Sequence, residues 1–433
     1  MTYRNRRSFI RTAGTVGALG LAGCLSNDGG SSPSDSSDNE TNSSDGSDTG
    51  NGNETESPQD NSNGELDHLP GETLEDFESL DNWATLLDGG SIEATTDDPY
   101  AGSQSARLHA GENNESAGSS FMLPESMDLS NAAFSMAVKY SGREQLMITL
   151  EVLAPNARNK VALRRTLTGP VDRWVRVDFG TTNVDTSPDL TDVREFRVIA
   201  HRRGSNEGPI DFAIDDLRVT ERPDQGSVLF LFDGTLESHH VNAFEHMESF
   251  GFAGVEAVIP EAVGETGRLT HDQMQDLEEA GWDMAARPRT GSRNINEFTR
   301  EQQEGAMERT KKFLEHRGFE DGANYFVTPR NIMGPNTYDL VQDHYKVAFR
   351  YGGGPNGLPL TDPHNVGTFS GTAGSEVTRY IDYAAQYGQL AVIRFEEIGG
   401  ADGMSEDAFV DLLEYVDSTD VQVVTASELS GDA

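Results

Sequence analysis

Val228-Leu229-Phe230-Leu231-Phe232-Asp233 is an unbroken apolar run that ends in a carboxylate. Such a run lacks the alternation of a half-solvated strand and suits one covered on both faces, as in a parallel sheet. Outward from it, further strand candidates recur at Val255–Ile259, Trp282–Ala285, Tyr325–Thr328, Val347–Tyr351, Leu390–Phe395 and Val421–Thr425. Helical periodicity lies between most of them, at Val241–Phe250, His271–Ala280, Arg300–Arg317, Tyr338–His344, Ser375–Tyr387 and Glu406–Val416. Repeated βα units predict a distorted (β/α) barrel over residues 227–433. Barrel chemistry gathers where strands end. That rule selects Asp233 after the first strand, Arg287 and Arg289 after the third, Pro329 and Arg330 after the fourth, and Glu396 and Glu397 after the sixth. Gly352–Gly357 reads as a flexible rim loop, not a phosphate loop, because no Gly-Lys-Ser/Thr follows. His364, on the same connection, is expected to be solvated.

Four stretches of this region resemble blocks of the polysaccharide deacetylase family (NodB homology, carbohydrate esterase family 4). They are Val228–Val258 with Phe232-Asp233-Gly234-Thr235, Glu278–Met284, Tyr325–Asn331 and Ala391–Ile398. The resemblance implies a barrel that uses one zinc-type divalent ion to remove acetyl groups from extracellular polysaccharide. It puts Asp233 at the general-base position, Glu396 in place of the family's histidine acid, and Arg330 beside them. Arg287, Arg289 and Pro329 become substrate-binding candidates. Gly234, Arg287 and Gly291 occupy the metal-ligand positions, and an arginine cannot coordinate zinc. Without the ion, the attacking water keeps its ordinary pKa and the family reaction loses its nucleophile. His239 and His240, with Asp233 or Glu237, form an alternative metal cluster. Asp233 and Glu396 form an alternative glycosidase pair, which needs about 5–9.5 Å between carboxylates. The arginines and carboxylates of the rim also suit a carboxylated or sulfated sugar. Two function classes follow: a carbohydrate deacetylase with an altered site, and a non-catalytic carbohydrate-binding or envelope-structural protein, in effect a pseudoenzyme.

Residues 66–223 read differently. Short alternating runs, such as Ala132–Val138, Leu146–Val152 and Trp174–Phe179, predict an antiparallel β-sandwich. Asp76-Phe77-Glu78 with Asp81-Asn82-Trp83, Tyr100–Leu108 and Phe212–Val219 resemble jelly-roll carbohydrate-binding modules. Asp215 and Asp216 are a candidate structural calcium pair. Trp83 and Trp174 are candidates for sugar stacking or for core, with Trp174, read as mid-strand, assigned to the core.

The N-terminus carries an address. Arg6-Arg7-Ser8-Phe9-Ile10, an uncharged stretch Thr12–Gly23 and Leu21-Ala22-Gly23-Cys24 resemble a Tat export signal with a lipobox over residues 1–24. Cys24 is the single cysteine, so no intrachain disulfide forms. A lipid on Cys24 would hold the protein at the outer face of the cytoplasmic membrane. Residues 25–65 are Ser, Asp, Asn and Gly-rich and are expected to be a disordered tether. Sequons at Asn39, Asn42 and Asn53 are weak signals in such a stretch. Thirty-three basic against 73 acidic residues leave a net charge of −40. That surface repels nucleic acid. With lysine confined to Lys139, Lys160, Lys311, Lys312 and Lys346, it resembles proteins of salt-loving archaea. The expected partners are an envelope polysaccharide and, through Cys24, the membrane.

Overall fold

The computed structural model describes residues 66, 68–86, 89–142, 145–203, 208–400 and 403–431. They lie within one compact unit, Asp60–Ala433. Arg6, Arg7, Cys24, the sequons and the whole of the tether, residues 25–65, lie outside the described residues.

The first strands are β1 (Glu72–Glu75), β2 (Trp83–Thr85), β3 (Ser91–Thr95), β4 (Ser105–Ala110), β5 (Ser116–Met127) and β6 (Ala132–Tyr140). They continue with β7 (Leu146–Asn156), β8 (Asn159–Leu167), β9 (Val175–Phe179), β10 (Thr181–Asp185), β11 (Val193–Arg202) and β12 (Ile210–Glu221). Two antiparallel sheets result, one ordered β3-β4-β12-β6-β9 with β1 also on β12, the other β10-β8-β7-β11-β5-β2. Period-two alternation turns Phe134, Met136 and Val138 of one sheet into the same core as Ile148, Leu150, Phe196 and Val198 of the other. This is a β-sandwich.

The remaining strands are β13 (Gly226–Asp233), β14 (Val255–Val258), β15 (Asp283–Ala286), β16 (Tyr325–Val327), β17 (Val347–Tyr351), β18 (Val366–Ser370), β19 (Leu390–Phe395) and β20 (Val421–Val423). They run parallel in the order β14-β15-β16-β17-β18-β19-β13-β20, and β13 also pairs with β14, which closes a seven-strand ring. Both faces of β13 are buried, which explains its unbroken apolar run. Leu229 and Leu231 join Val255, Ala257, Val327, Phe349 and Val392 inside the ring. Val228, Phe230 and Phe232 face the outer layer with Met247, Met274 and Phe409. Helices α1 (Glu245–Phe250), α2 (His271–Glu279), α3 (Arg300–His316), α4 (Pro335–His344), α5 (Ser375–Tyr387), α6 (Glu406–Asp417) and α7 (Ala426–Ser430) complete this part.

Several expectations change. Val366–Ser370 is a strand that the sequence hid, because Gly367 and Thr368 weaken its apolar signal. Gly352–Gly357 is no flexible rim loop. Gly354, Pro355, Asn356 and Gly357 are buried, and Gly180 packs on the Pro355 carbonyl. The fully buried Arg165 guanidinium enters here, with Nη1 on Asn356 Oδ1 at 2.6 Å and Nη2 on the Asn365 carbonyl. A Cβ on Gly367 would lie 1.6 Å from that Nη1, so only glycine lets the guanidinium through. His364 is mostly shielded, its Nε2 2.8 Å from the Tyr345 carbonyl. Trp83 is core, stacked between Phe77 and Phe121 at 5.3 Å from each. Trp174 precedes β9 instead of lying within a strand, and it is half-buried. Its Nε1 donates to the Asp98 carbonyl at 2.9 Å, and Lys139 Nζ sits 4.9 Å from its ring centroid. It lines a cleft of about 420 Å³ with Tyr100, Arg176, Tyr338 and His364, where sandwich and barrel meet.

Asp215 and Asp216 do not form a calcium cage. Asp215 accepts from the Tyr100, Ala101 and Asp216 amides and from Ser105 Oγ. Asp216 Oδ2 is shared by Arg176 Nη1 at 2.6 Å and Arg218 Nε at 3.1 Å, and its Oδ1 accepts from Thr73 Oγ1 at 2.6 Å. Each oxygen of Asp216 and the inner oxygens of Asp215 therefore already hold a donor, and two of those donors are cations that would repel a metal ion.

Candidate functional site at the barrel mouth

The alternation that fills the ring also aims its last residues. On β13 the inward row Leu229, Leu231 continues to Asp233. From Ala285 on β15 it continues to Arg287, from Val347 and Phe349 on β17 to Tyr351, and on β19 from Leu390 and Val392 to Arg394 and then Glu396. Asp233 is buried to 4% exposure. Its Oδ2 accepts from Arg394 Nη2, and its Oδ1 is in ion contact with Arg287 Nε. The second contact lacks hydrogen-bond alignment, so Asp233 Oδ1 and Arg287 Nε remain without a directed partner. Arg394 also donates Nη1 to Asn331 Oδ1 at 3.2 Å and reaches exposed Glu396 Oε1 at 3.4 Å.

The turn leaving β13 is strained and held from below. Gly234 has φ 125° and Thr235 φ 58°, and the second is an outlier for a β-branched residue. Glu256 on β14 accepts the Thr235 amide at 3.0 Å, and Thr235 Oγ1 accepts the Ile259 amide at 2.7 Å. His239, wholly buried, sets Nδ1 2.7 Å from Glu256 Oε2 and Nε2 2.6 Å from the Glu396 carbonyl. The carbonyl can only accept, so Nε2 carries a proton. Burial opposes the imidazolium, but the Glu256 carboxylate, the Glu396 carbonyl and Asp233 together outweigh it and raise the His239 pKa. Burial in turn raises that of Glu256. Between the two ring and carboxylate atoms one proton is shared, and the pair ties the β13 exit to the β19 exit.

The residues expected from the sequence thus divide. Asp233, Arg287 and Glu396 share the mouth. Pro329 is buried. Arg330 (φ 55°) is exposed beside Asn331 (φ 67°), the residue that meets Arg394. Arg289 stands apart, 52% exposed, against Glu265 Oε1 at 3.6 Å and the Glu261 carbonyl. Gly291 is an open turn with φ 61°. His239 and His240 do not form a joint site: His240 turns to Asp276 Oδ2 at 3.1 Å, while both nitrogens of His239 are engaged in the interior. The glycosidase pair meets an obstacle of its own. Asp233 and Glu396 share Arg394 Nη2, so a guanidinium stands between the carboxylates, where that chemistry needs the scissile bond.

A zinc-type ion does not fit these residues. Both Asp233 oxygens face cations, Gly234 has no side chain and a backbone that a carboxylate residue would strain, and Arg287 is positive. Among the described residues no group of three His, Cys, Asp or Glu side chains is arranged to hold a metal. Arg394 and Tyr351 were missed by looking only beyond strand ends. Counting by twos from Val392 and Phe349 would have found both. A cleft of about 260 Å³ opens beside them, lined by Tyr351, Thr368, Ser370, Arg394, Glu396 and Met404 among others.

Neither a protein-family model nor a curated protein matches this chain. Among solved structures it is similar to the Xyl-CE4 domain of a multidomain xylanase from the hindgut metagenome of Trinervitermes trinervoides. That match has 16% identity over 47% of this chain and 89% of that one, with TM-score 0.35. It is also similar to a family 11 carbohydrate-binding module from Clostridium thermocellum, at 13% identity over 35% of this chain and 96% of that one, with TM-score 0.27. A third is an exo-beta-agarase, at 13% identity over 35% of this chain, with TM-score 0.28; this chain spans only 26% of its length. The structural neighbours thus include a CE4 domain and a carbohydrate-binding module.

Proposed function

We propose that this chain is a glycan-directed protein of polysaccharide-deacetylase type whose barrel mouth binds a saccharide without a metal ion. The observation that carries the reading is the clamp on Asp233: guanidinium groups of Arg287 and Arg394 stand on its two carboxylate oxygens. A base so held is paired with cations instead of being free to take a proton from water. The four sequence blocks around the barrel support a glycan as ligand. So does the adjoining cleft, which combines hydroxyls, a guanidinium, carboxylates and the apolar Phe369, Phe395 and Met404. The N-terminal signal supports export and attachment at the outer membrane face through a lipid on Cys24, with an envelope polysaccharide as partner.

The test is fluorescence titration with labelled tetrasaccharides in high salt, one N-acetylated and chitin-type, one a uronate. We expect binding that a chelator leaves unchanged and that Arg287→Ala weakens about tenfold, the scale of one charge-assisted hydrogen bond. Chelator-sensitive acetate release from the chitin-type probe, abolished by Asp233→Asn, would instead establish a metal-dependent hydrolase and overturn the reading.

A further inference from the structure

The barrel mouth is not built by the barrel alone. Arg203, the residue after β11 of the sandwich, reaches Tyr351 at the end of β17. Its Nη2 donates to the Tyr351 hydroxyl at 2.8 Å, and its guanidinium carbon lies 4.7 Å from the ring centroid. Its Nη1 is 3.3 Å from Thr166 Oγ1 on β8, so the guanidinium is held at both ends. A second strut runs from the same edge of the sandwich. Thr168 Oγ1 donates to the Asn331 carbonyl at 2.7 Å, the Met333 amide donates to the Thr168 carbonyl at 3.0 Å, and Asn331 Oδ1 in turn receives Arg394. Tyr351 and Arg394 line the same cleft. Two of its polar groups are therefore aimed by residues of the other fold.

A phenol that accepts a hydrogen bond from a guanidinium keeps its own O–H to donate, and the bond it receives strengthens the one it gives. We propose that the sandwich is a working half of the ligand site, with Arg203 positioning Tyr351 as a hydrogen-bond donor to a saccharide oxygen in the cleft. This rests on the reading of the mouth as a saccharide site and adds that neither fold binds fully without the other. Tyr351→Phe keeps the ring, its packing and its contact with the Arg203 cation, and removes only the hydroxyl.

The two labelled tetrasaccharides serve as probes in a double-mutant cycle on the whole protein. Tyr351→Phe should weaken binding about tenfold, and Arg203→Met by a similar factor. The double variant should lose no more than either alone, because Arg203 acts through Tyr351. A double variant that loses about a hundredfold, the product of two independent effects, overturns the coupling. Unchanged affinity in Tyr351→Phe overturns the donor role while leaving the saccharide reading intact. Wild-type protein that binds neither probe removes that reading and this inference with it.

Discussion

Replacing Asp233 by asparagine removes the one carboxylate at the centre of the mouth and leaves two guanidinium groups facing each other. Asp233 is 2% exposed at its side chain, and Arg287 and Arg394 are 16% and 17% exposed. Solvent can therefore do little to replace the lost charge. Arg394 keeps Asn331 and Glu396, whereas Arg287 loses its only ion pair among the described residues. Breaking a buried pair from one side costs about 3–5 kcal/mol. The remaining partners of Arg394 place this case at the low end, about 3 kcal/mol. For a folded part this large, scaling the unfolding entropy with length gives roughly 1–1.5 °C per kcal/mol, hence a melting temperature lower by about 3–5 °C. Calorimetry in 1 M and 3 M salt is the assay, and the shift should persist at both, since screening acts mainly on exposed charges. Arg287→Met, made in the same background, should recover part of the loss by removing the repelled cation. A melting temperature unchanged in Asp233→Asn, or a double variant worse than additive, would refute the clamp.

Other outcomes follow from the same contacts. Burial pushes Asp178 and Asp215 up to about 6 from 3.8, so between about pH 4 and 6 the folded state holds protons that the unfolded state has released. Stability should therefore fall as pH rises through that window, by up to about 2–3 kcal/mol per group. Denaturant midpoints at pH 5 and 7 should differ less in Asp178→Asn than in wild type, and an equal difference would remove Asp178 as a contributor. Trp83→Ala should cost about 3–5 kcal/mol, as expected for a stacked core aromatic, while Trp174→Ala should cost far less. Urea melts giving equal losses would contradict the placement of Trp174 at the cleft edge. Cys24→Ser should release the protein into the medium, read by fractionation, and unchanged membrane association would count against the lipid anchor.

The sequence alone carried the architecture of the folded region because apolar runs separated by helical periodicity and short runs separated by turn residues leave different local marks. The run Val228–Phe232, bounded by turn residues, marked a strand covered on both sides, whereas Ala132–Val138 marked only its core row Phe134, Met136 and Val138, and its other face, with Ala133, Ser135 and Ala137, is buried as well. It also carried Asp233, Arg287 and Glu396 to the mouth, since a strand's end marks the open end of the ring. Tertiary structure decided what those groups do. That Asp233 faces arginines depends on β19 closing against β13, which brings residues 161 positions apart within contact, and no local pattern encodes such a meeting. Asp216 was equally open until Arg176 and Arg218 arrived on it, and the glycine-rich segment after β17 was a free loop until Arg165 filled its space. Arg203 belongs to a different fold from Tyr351, so only the packing of sandwich on barrel joins them. Hydrophobic periodicity is a property of neighbours in the chain, whereas pairing of buried charges is a property of neighbours in space.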